Sequence, residues 1–347
     1  MRTLFFGLGG VGQRHLRNLK MLRPQAEIAA VRHFPRVFEV GNDLKADTNT
    51  NIEEKYNIKT FSSIDESLKF QPDFAIVANP SSLHVNTVTK LVENGIPVFV
   101  EKPLATCRDG LLKLADLVEK KQVPVMVGYQ LRFHPCVIRL KELLDKKEVG
   151  LVSSVEVSIH SYMPSWHEYE KPEDFYAGKG DLGGGVVSTE IHEIDLLSWF
   201  FDSISKVMAF GGTLGPYDID VEDTVAAVLE CENDGRKFPI SLMMSFMQNP
   251  PRRRLIVNGT GGCLILELPR FTLTSLLPDG KTGECFQLPK NFDRNQLYID
   301  ELNHFLICME KTERPLTSLS EIVEGEKVAL AIKDSLDKNQ VVALNEI

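Results

Sequence analysis

The sequence predicts an α/β protein of two domains, a doubly wound parallel sheet followed by a sheet-rich second domain. Three observations predict it. The chain has 347 residues, too many for one typical domain and suited to two. Its first 125 residues alternate short apolar runs with helical periodicity, the pattern of βαβ crossovers. Beyond residue 150, runs such as "LVSSVEVSIHSY", "DTVAAVLECE" and "ISLMMSFM" alternate apolar with polar positions, as half-buried strands do. The change falls within "KQVPVMVGYQ", which predicts domains at 1–125 and 126–347.

The first unit is "TLFFGLGGVGQRHLRNLKML". An apolar strand turns through glycines into a helix that places Leu16, Leu19 and Leu22 on one face. Gly7, Gly9 and Gly12 fit G-x-G-x-x-G, with Gly10 and Val11 completing the turn. The first glycine allows the turn, the second lets backbone approach a pyrophosphate, and the third lets helix and strand pack closely. The motif alone is weak. Its place between a strand and a helix, with "AEIAAVRHF" following as a second strand, makes it a dinucleotide site. That second strand ends in Arg32, with His33 and Arg36 just beyond. NAD-binding folds usually place Asp or Glu here for the ribose 2′-OH, whereas an Arg can hold a 2′-phosphate. The expectation is NADP in preference to NAD, the alternative being that Arg32 is a solvated strand end.

"DFAIVANPSSLHVNTVTKLVENGIPVFVEKPLA" reads as strand (74–78), helix (82–94) and strand (97–101), another crossover. Asn79-Pro80 and Glu101-Lys102-Pro103 fall at strand C-terminal ends, which line the ligand crevice of an open α/β sheet. Lys102 is either directed into that crevice by Pro103 or a loop charge. Further on, "GGGVVSTEIHEIDLLSWF" (183–200) reads as glycines running into a helix. On one helix His192 shares a face with Ser188, Thr189, Asp195 and Leu196, while Glu190 and Glu193 point elsewhere. His192 is either a core histidine or a proton carrier, with Asp195 available to orient its ring.

Apolar residues make up 43% of the chain and charged residues 25%, enough for ordinary globular cores. A net charge of -9 argues against nucleic-acid and anionic-membrane partners. The basic run "PRRRL" (251–255) is a local exception, better suited to a strand edge or an anion contact. The six cysteines lack CxxC spacing, so reduced and mostly buried thiols in a cytoplasmic protein are expected. No apolar run approaches the roughly 20 residues of a membrane span, and with a strand starting at once no signal peptide is expected.

"GLGGVGQRHLRN", "NPSSLH", "VFVEKPLA", "GYQLRFHP" and "GGGVVSTEIHEID" occur in the order and spacing of the Gfo/Idh/MocA oxidoreductases, which the chain resembles over nearly its whole length. The resemblance implies an N-terminal Rossmann domain and a C-terminal α/β domain with an open, largely antiparallel sheet that often mediates oligomers, here a homodimer or homotetramer. It implies nicotinamide-dependent hydride transfer on a sugar, an inositol or a sugar derivative. It assigns catalysis to Lys102 and His192, with His192 the better acid/base and Lys102 bonded to the reacting oxygen. Asn79, Pro80, His84 and Glu101 fall on the cofactor side with Lys102. The family usually has Asp four residues after the last glycine, where this chain has Thr189, a residue able to hydrogen-bond a sugar hydroxyl but not to act as a base. "SYMPSWHEYEKPEDFYAGKGDLGGG" resembles a branch associated with surface-sugar clusters, which points to an amino- or deoxy-sugar, free or nucleotide-linked. No metal is implied.

Tyr162, Trp166, Tyr176 and Lys179 in that segment suit either a lid over a sugar or packing at a subunit interface. Tyr129 and Arg132 in "GYQLRFHP" are further substrate candidates. Arg132 suits equally a salt bridge across the interdomain connection, and Tyr129 a strand core. A hydride-shuttling enzyme that retains its nucleotide, and a non-catalytic nucleotide-binding sensor or scaffold, are the competing readings. The departure at Thr189 favours the second of these and the presence of both Lys102 and His192 opposes it.

Overall fold

The computed structural model describes residues 1–32, 37–166 and 170–344. The first sheet is built from β1 (Arg2–Phe6), β2 (Glu27–Val31), β5 (Lys59–Phe61), β6 (Phe74–Val77), β7 (Val98–Val100) and β8 (Val125–Val127). Its order is β5-β2-β1-β6-β7-β8, all parallel. β3 (Phe38–Val40) and β4 (Ala46–Asn51) form a separate antiparallel pair. Helices α1 (Gly10–Leu22), α2 (Ile52–Lys55), α3 (Ile64–Ser67), α4 (His84–Glu93) and α5 (Arg108–Lys121) make the crossovers. Every residue of β6, β7 and β8 is buried. Strands covered on both faces by helices need apolar side chains throughout, which is why these runs do not alternate. β8 carries the sheet to Val127, two residues past the expected boundary at 125.

The second sheet holds β9 (Val152–Tyr162), β10 (Ser203–Gly212), β11 (Thr224–Asn233), β12 (Arg236–Ser245), β13 (Met247–Gly259), β14 (Gly262–Glu267), β15 (Thr272–Leu276), β16 (Thr282–Gln287) and β17 (Val342–Ala343). The order is β16-β15-β14-β13-β9-β12-β11-β10-β17, antiparallel except for the β9–β12 pair. Its strands alternate as the sequence does. In β11, Val225, Ala227, Leu229 and Cys231 are buried, while Ala226 and Val228 are exposed. The buried face packs against α8 (His192–Phe200) and α10 (Leu319–Lys338); α6 (Pro135–Asp145), α7 (Val186–Thr189) and α9 (Asn295–Lys311) complete the helices.

Two helices late in the chain return to the first domain. Phe305 of α9 meets Phe74 and Phe99 edge-on, and Asn295 exchanges hydrogen bonds with Asn18 of α1. α10 packs on α5 and β8.

Three expectations need correction. The segment 183–200 is two helices, broken at Glu190 and Ile191, so spacing across the break does not define a shared face. The "PRRRL" run lies inside β13, where Arg253 is an internal ion-pair partner. All six cysteines are free, but Cys107 and Cys285 are exposed and Cys263 half-buried, so only three of them are core thiols.

Candidate active site

The glycine turn after β1 is shaped by close backbone contacts. Gly7 has φ +90°, and a Cβ there would lie 2.3 Å from the Ala78 carbonyl oxygen. A Cβ on Gly12 would lie 2.3 Å from the Gly7 carbonyl oxygen, so the helix packs on the strand only with glycine there. Gly9 is different. No atom lies within 4 Å of where its Cβ would be, and it caps α1 without a side chain. The first turn of α1 therefore presents amides beside an open space, which suits a pyrophosphate. Gly7, Gly9, Gly10 and Val11 line a cleft of about 1880 Å³ that also reaches Arg32, Asn79, Pro80, His84, Glu101, Lys102 and His192. Gly12 lies behind it.

Arg32 stands at the end of β2, its Nε 3.0 Å from Glu53 Oε1. It is therefore not a solvated strand end. His33 and Arg36 lie outside the described residues. His84 ties the two strand ends together, its Nδ1 2.8 Å from the Pro103 oxygen and its Nε2 2.8 Å from the Asn79 oxygen.

Lys102 and His192 both line this cleft, close enough for the lysine charge to act on the imidazole. Lys102 follows β7, and its Nζ donates to the Thr189 carbonyl oxygen at 2.6 Å. That oxygen is at the C-terminal end of α7, where carbonyls lack helical partners and attract cations. Thus Thr189 contributes its backbone to the lysine. Burial lowers the Lys102 pKa, while the charges of Glu101 and Glu190 oppose that shift. His192 is 4% exposed. Burial first, then the charges of Lys102, Arg253 and Arg294, hold its pKa well below the usual value, so the ring is neutral. The Gln130 side-chain amide lies 3.2 Å from His192 Nε2 and 3.3 Å from the Tyr298 hydroxyl. An amide N–H only donates, so Nε2 accepts and the ring proton sits on Nδ1. His192 Nδ1, Gln130 Oε1 and Asn79 Oδ1 are buried without a protein partner.

Beneath Lys102, His15 Nε2 is 2.6 Å from Glu101 Oε1, and Glu301 approaches both, all three ligand atoms lying within 4.8 Å. Burial, then the Glu101 charge, raises the Glu301 pKa well above the usual carboxyl range. The His15 hydrogen bond keeps Glu101 ionised although burial opposes it. The Glu101 carboxylate therefore lies where its charge favours the protonated lysine.

Other predicted residues sit elsewhere. Asp195 does not orient His192. It takes a bidentate pair from Arg132, at 2.7 and 2.9 Å, both side chains being 1% exposed. Arg132 is thus an internal strut, not a sugar contact; helical spacing could not reveal a partner 63 residues away. Tyr129 is buried, its hydroxyl donating to Glu326 Oε1 at 2.6 Å. Trp166 packs edge-on against Phe175 and Phe246. Trp166, Tyr162 and Lys179 are absent from the cleft wall, whereas Tyr176 lines it. Glu190 and Glu193 both pair with Arg253. Gln130 and Tyr298 are wall residues that the sequence reading missed. Gln130 was readable from its place in "GYQLRFHP", whereas Tyr298 arrives on α9, whose return to the first domain has no local signal.

Two family descriptions match the chain. "Oxidoreductase family, NAD-binding Rossmann fold" covers residues 1–129, and "GFO/IDH/MocA C-terminal domain" covers 137–265. Among curated relatives, scyllo-inositol 2-dehydrogenase (NAD(+)) of Bacillus subtilis is 23% identical over 99% of this chain and 96% of its own length. Rhizopine catabolism protein MocA of Rhizobium meliloti is 27% identical over 52% of this chain and 58% of its own length, so that match spans little more than half of the relative. An oxidoreductase from Agrobacterium radiobacter, solved with NAD+, L-tartaric acid and magnesium, superposes with a TM-score of 0.81 at 15% identity, covering 100% of this chain and 99% of that one. The WlbA dehydrogenase from Bordetella pertussis, solved with NADH and UDP-GlcNAcA, gives 0.78 at 19%, covering 99% and 98%. The two solved structures share the fold, and the two family matches lie on either side of the cleft that holds Lys102 and His192: the chain belongs to the Gfo/Idh/MocA family of NAD-binding oxidoreductases.

Proposed function

We propose that the protein oxidises a carbinol carbon, or reduces the corresponding carbonyl, on a sugar, an inositol or a sugar-nucleotide derivative, with Lys102 and His192 as its catalytic residues. The observation that supports this reading is that both groups line the same cleft as the Gly9 cradle. Gln130 lines the cleft and its Oε1 is buried without a protein partner, which suits a substrate rich in hydroxyls. The nicotinamide, when bound, supplies the hydride acceptor or donor. The neutral His192 can take the hydroxyl proton at Nε2, and Gln130 moves aside or re-pairs with the substrate. Lys102 donates a hydrogen bond to the reacting oxygen and stabilises charge on it. Relatives named for inositol dehydrogenation and a fold neighbour holding a sugar nucleotide support that substrate class.

We further infer a preference for NADP. Arg32 lines the cleft at the end of β2, and its guanidinium can exchange part of its contact with Glu53 for a 2′-phosphate. Fluorescence titration of nucleotide-free protein with NADPH and NADH tests this. The expected result is NADPH binding about tenfold tighter, the yield of one charge-assisted hydrogen bond. Tighter NADH binding overturns the Arg32 argument and leaves the enzyme reading standing. Failure to bind either nucleotide overturns both.

A homodimer or homotetramer joined through the open face of the second sheet is part of the same proposal, supported by exposed Phe210, Val228 and Met243. A cytoplasmic location is supported by six free thiols. Among the described residues no helix is long and apolar enough to cross a membrane.

A further inference from the structure

We propose that Glu326, on α10 and outside the cleft, is a positioning residue that holds the supports of both Lys102 and His192 from behind. The inference rests on the catalytic roles proposed above for those two residues. Glu326 is 1% exposed and directs its carboxylate at the turn that follows Lys102. Oε1 accepts from the Leu104 amide at 2.8 Å, and Oε2 approaches the Ala105 amide at 3.4 Å. Oε1 also accepts from the Tyr129 hydroxyl at 2.6 Å. The Tyr129 ring in turn meets the His192 imidazole edge-on, with centroids 5.9 Å apart. One carboxylate therefore grips the segment carrying Lys102 and the aromatic wall on which His192 rests.

Why a carboxylate belongs there follows from what it satisfies. Leu104 and Ala105 are buried, so their amides would otherwise face no acceptor. An apolar side chain would fill the same volume but would leave both amides and the Tyr129 hydroxyl unpaired. An acceptor with two oxygens also fixes direction. Its two oxygens set where the turn lies relative to α10, and α10 packs on α8, which begins with His192. Lys102 itself is then anchored at its other end by the Thr189 oxygen. The distance between the proton acceptor and the oxygen-binding group is held by a frame in which Glu326 is the common member. Small misplacement of such groups is known to slow chemistry far more than it weakens binding.

The test uses the full-length protein with Glu326→Ala, Glu326→Gln and Tyr129→Phe, beside Lys102→Ala as reference. With a turned-over sugar or polyol, Glu326→Ala lowers kcat by about tenfold or more, while KM and nucleotide Kd stay within about twofold. Glu326→Gln keeps an acceptor for the Leu104 amide and recovers most of that loss; Tyr129→Phe falls between. Unchanged kcat per nucleotide-binding site in Glu326→Ala, with only a lower melting temperature, overturns the proposal and leaves a structural role. If the alanine variant does not fold, the glutamine and phenylalanine variants decide by the same criteria. Histidine-selective nitrogen NMR reads the geometry without any substrate. Glu326→Ala and Tyr129→Phe shift the His192 ring resonances and leave those of His160 on β9 in place. Unshifted His192 resonances in both variants overturn the proposal. Full turnover by Lys102→Ala would instead overturn the proposed catalytic roles, whatever the Glu326 variants do.

Discussion

His192 can accept a proton because its surroundings keep it empty-handed. Burial and three nearby cations oppose the imidazolium, so at neutral pH the ring offers a lone pair at Nε2. In the proposed mechanism those same cations would help an alkoxide form on the substrate, which ties acid/base work to charge stabilisation in one place. Replacing His192 with Ala is expected to lower turnover by about a hundredfold or more. Steady-state assay of the variant checks it, and near-normal turnover would remove the role. That Lys102 and His192 would line one cleft was legible because motifs mark both. Their environment was not. The side chain at position 189 drew attention as a substitution for an acid, yet its contribution is a carbonyl oxygen, which every residue type carries. Asp195 and Arg132 each looked available for chemistry, and each satisfies the other. A buried charge needs a partner, but sequence does not say which partner.

At the scale of elements, strand identity was readable because burial on one or two faces imposes different periodicities. Helix ends were less so. The run Val186–Thr189 and the run from His192 share one apolar pattern, and no Gly or Pro marks the break between them. α6 shows how a single cap couples an element to pH. His134 caps it, Nδ1 accepting from the Cys136 amide at 3.2 Å, with Pro135 in the first turn. The ring is 2% exposed and stacks on Phe271. Burial, then the Arg294 charge, depresses its pKa from 6.5 to about 4. The unfolded chain takes up this proton near pH 6.5 and the folded one only near pH 4, so stability is present above 6.5 and falls as pH drops through that window. Between pH 7.5 and pH 5 this residue removes about 2 kcal/mol. His134→Asn keeps a capping oxygen without a titrating group. Denaturant unfolding at the two pH values should show a smaller loss in the variant by that amount, and an equal loss in both proteins would exclude His134 as the acid-sensitive cap.

For the whole molecule, the presence of two different sheets was legible; a return of the last helix, about 319–337, to the first domain was left open by the sequence and that of α9 was not visible, because helices that complete another domain's core carry the same amphipathic pattern as those that complete their own. The open sheet raises the remaining question. One face of it is covered by α8 and α10; on the other, Phe210, Ala226 and Met243 sit side by side across β10, β11 and β12. Phe210 is 59% exposed, Val228 56% and Met243 36%. Phe210 and Met243 in one row, with Val228 two residues along β11 from Ala226 and exposed like them, form an apolar patch that a lone chain seldom leaves in water. On the proposed assembly, a second copy related by a twofold axis would present the same row and bury both. The double substitution Phe210→Asp, Met243→Lys places charges on this row without touching the buried face. Sedimentation or light scattering should find the unaltered protein as a dimer or tetramer and the double variant as a monomer that still binds nucleotide, since the Gly9 cradle lies in the other sheet. A monomeric unaltered protein would show that the row does not join copies of the chain, and an unchanged assembly in the double variant would move the interface to another surface.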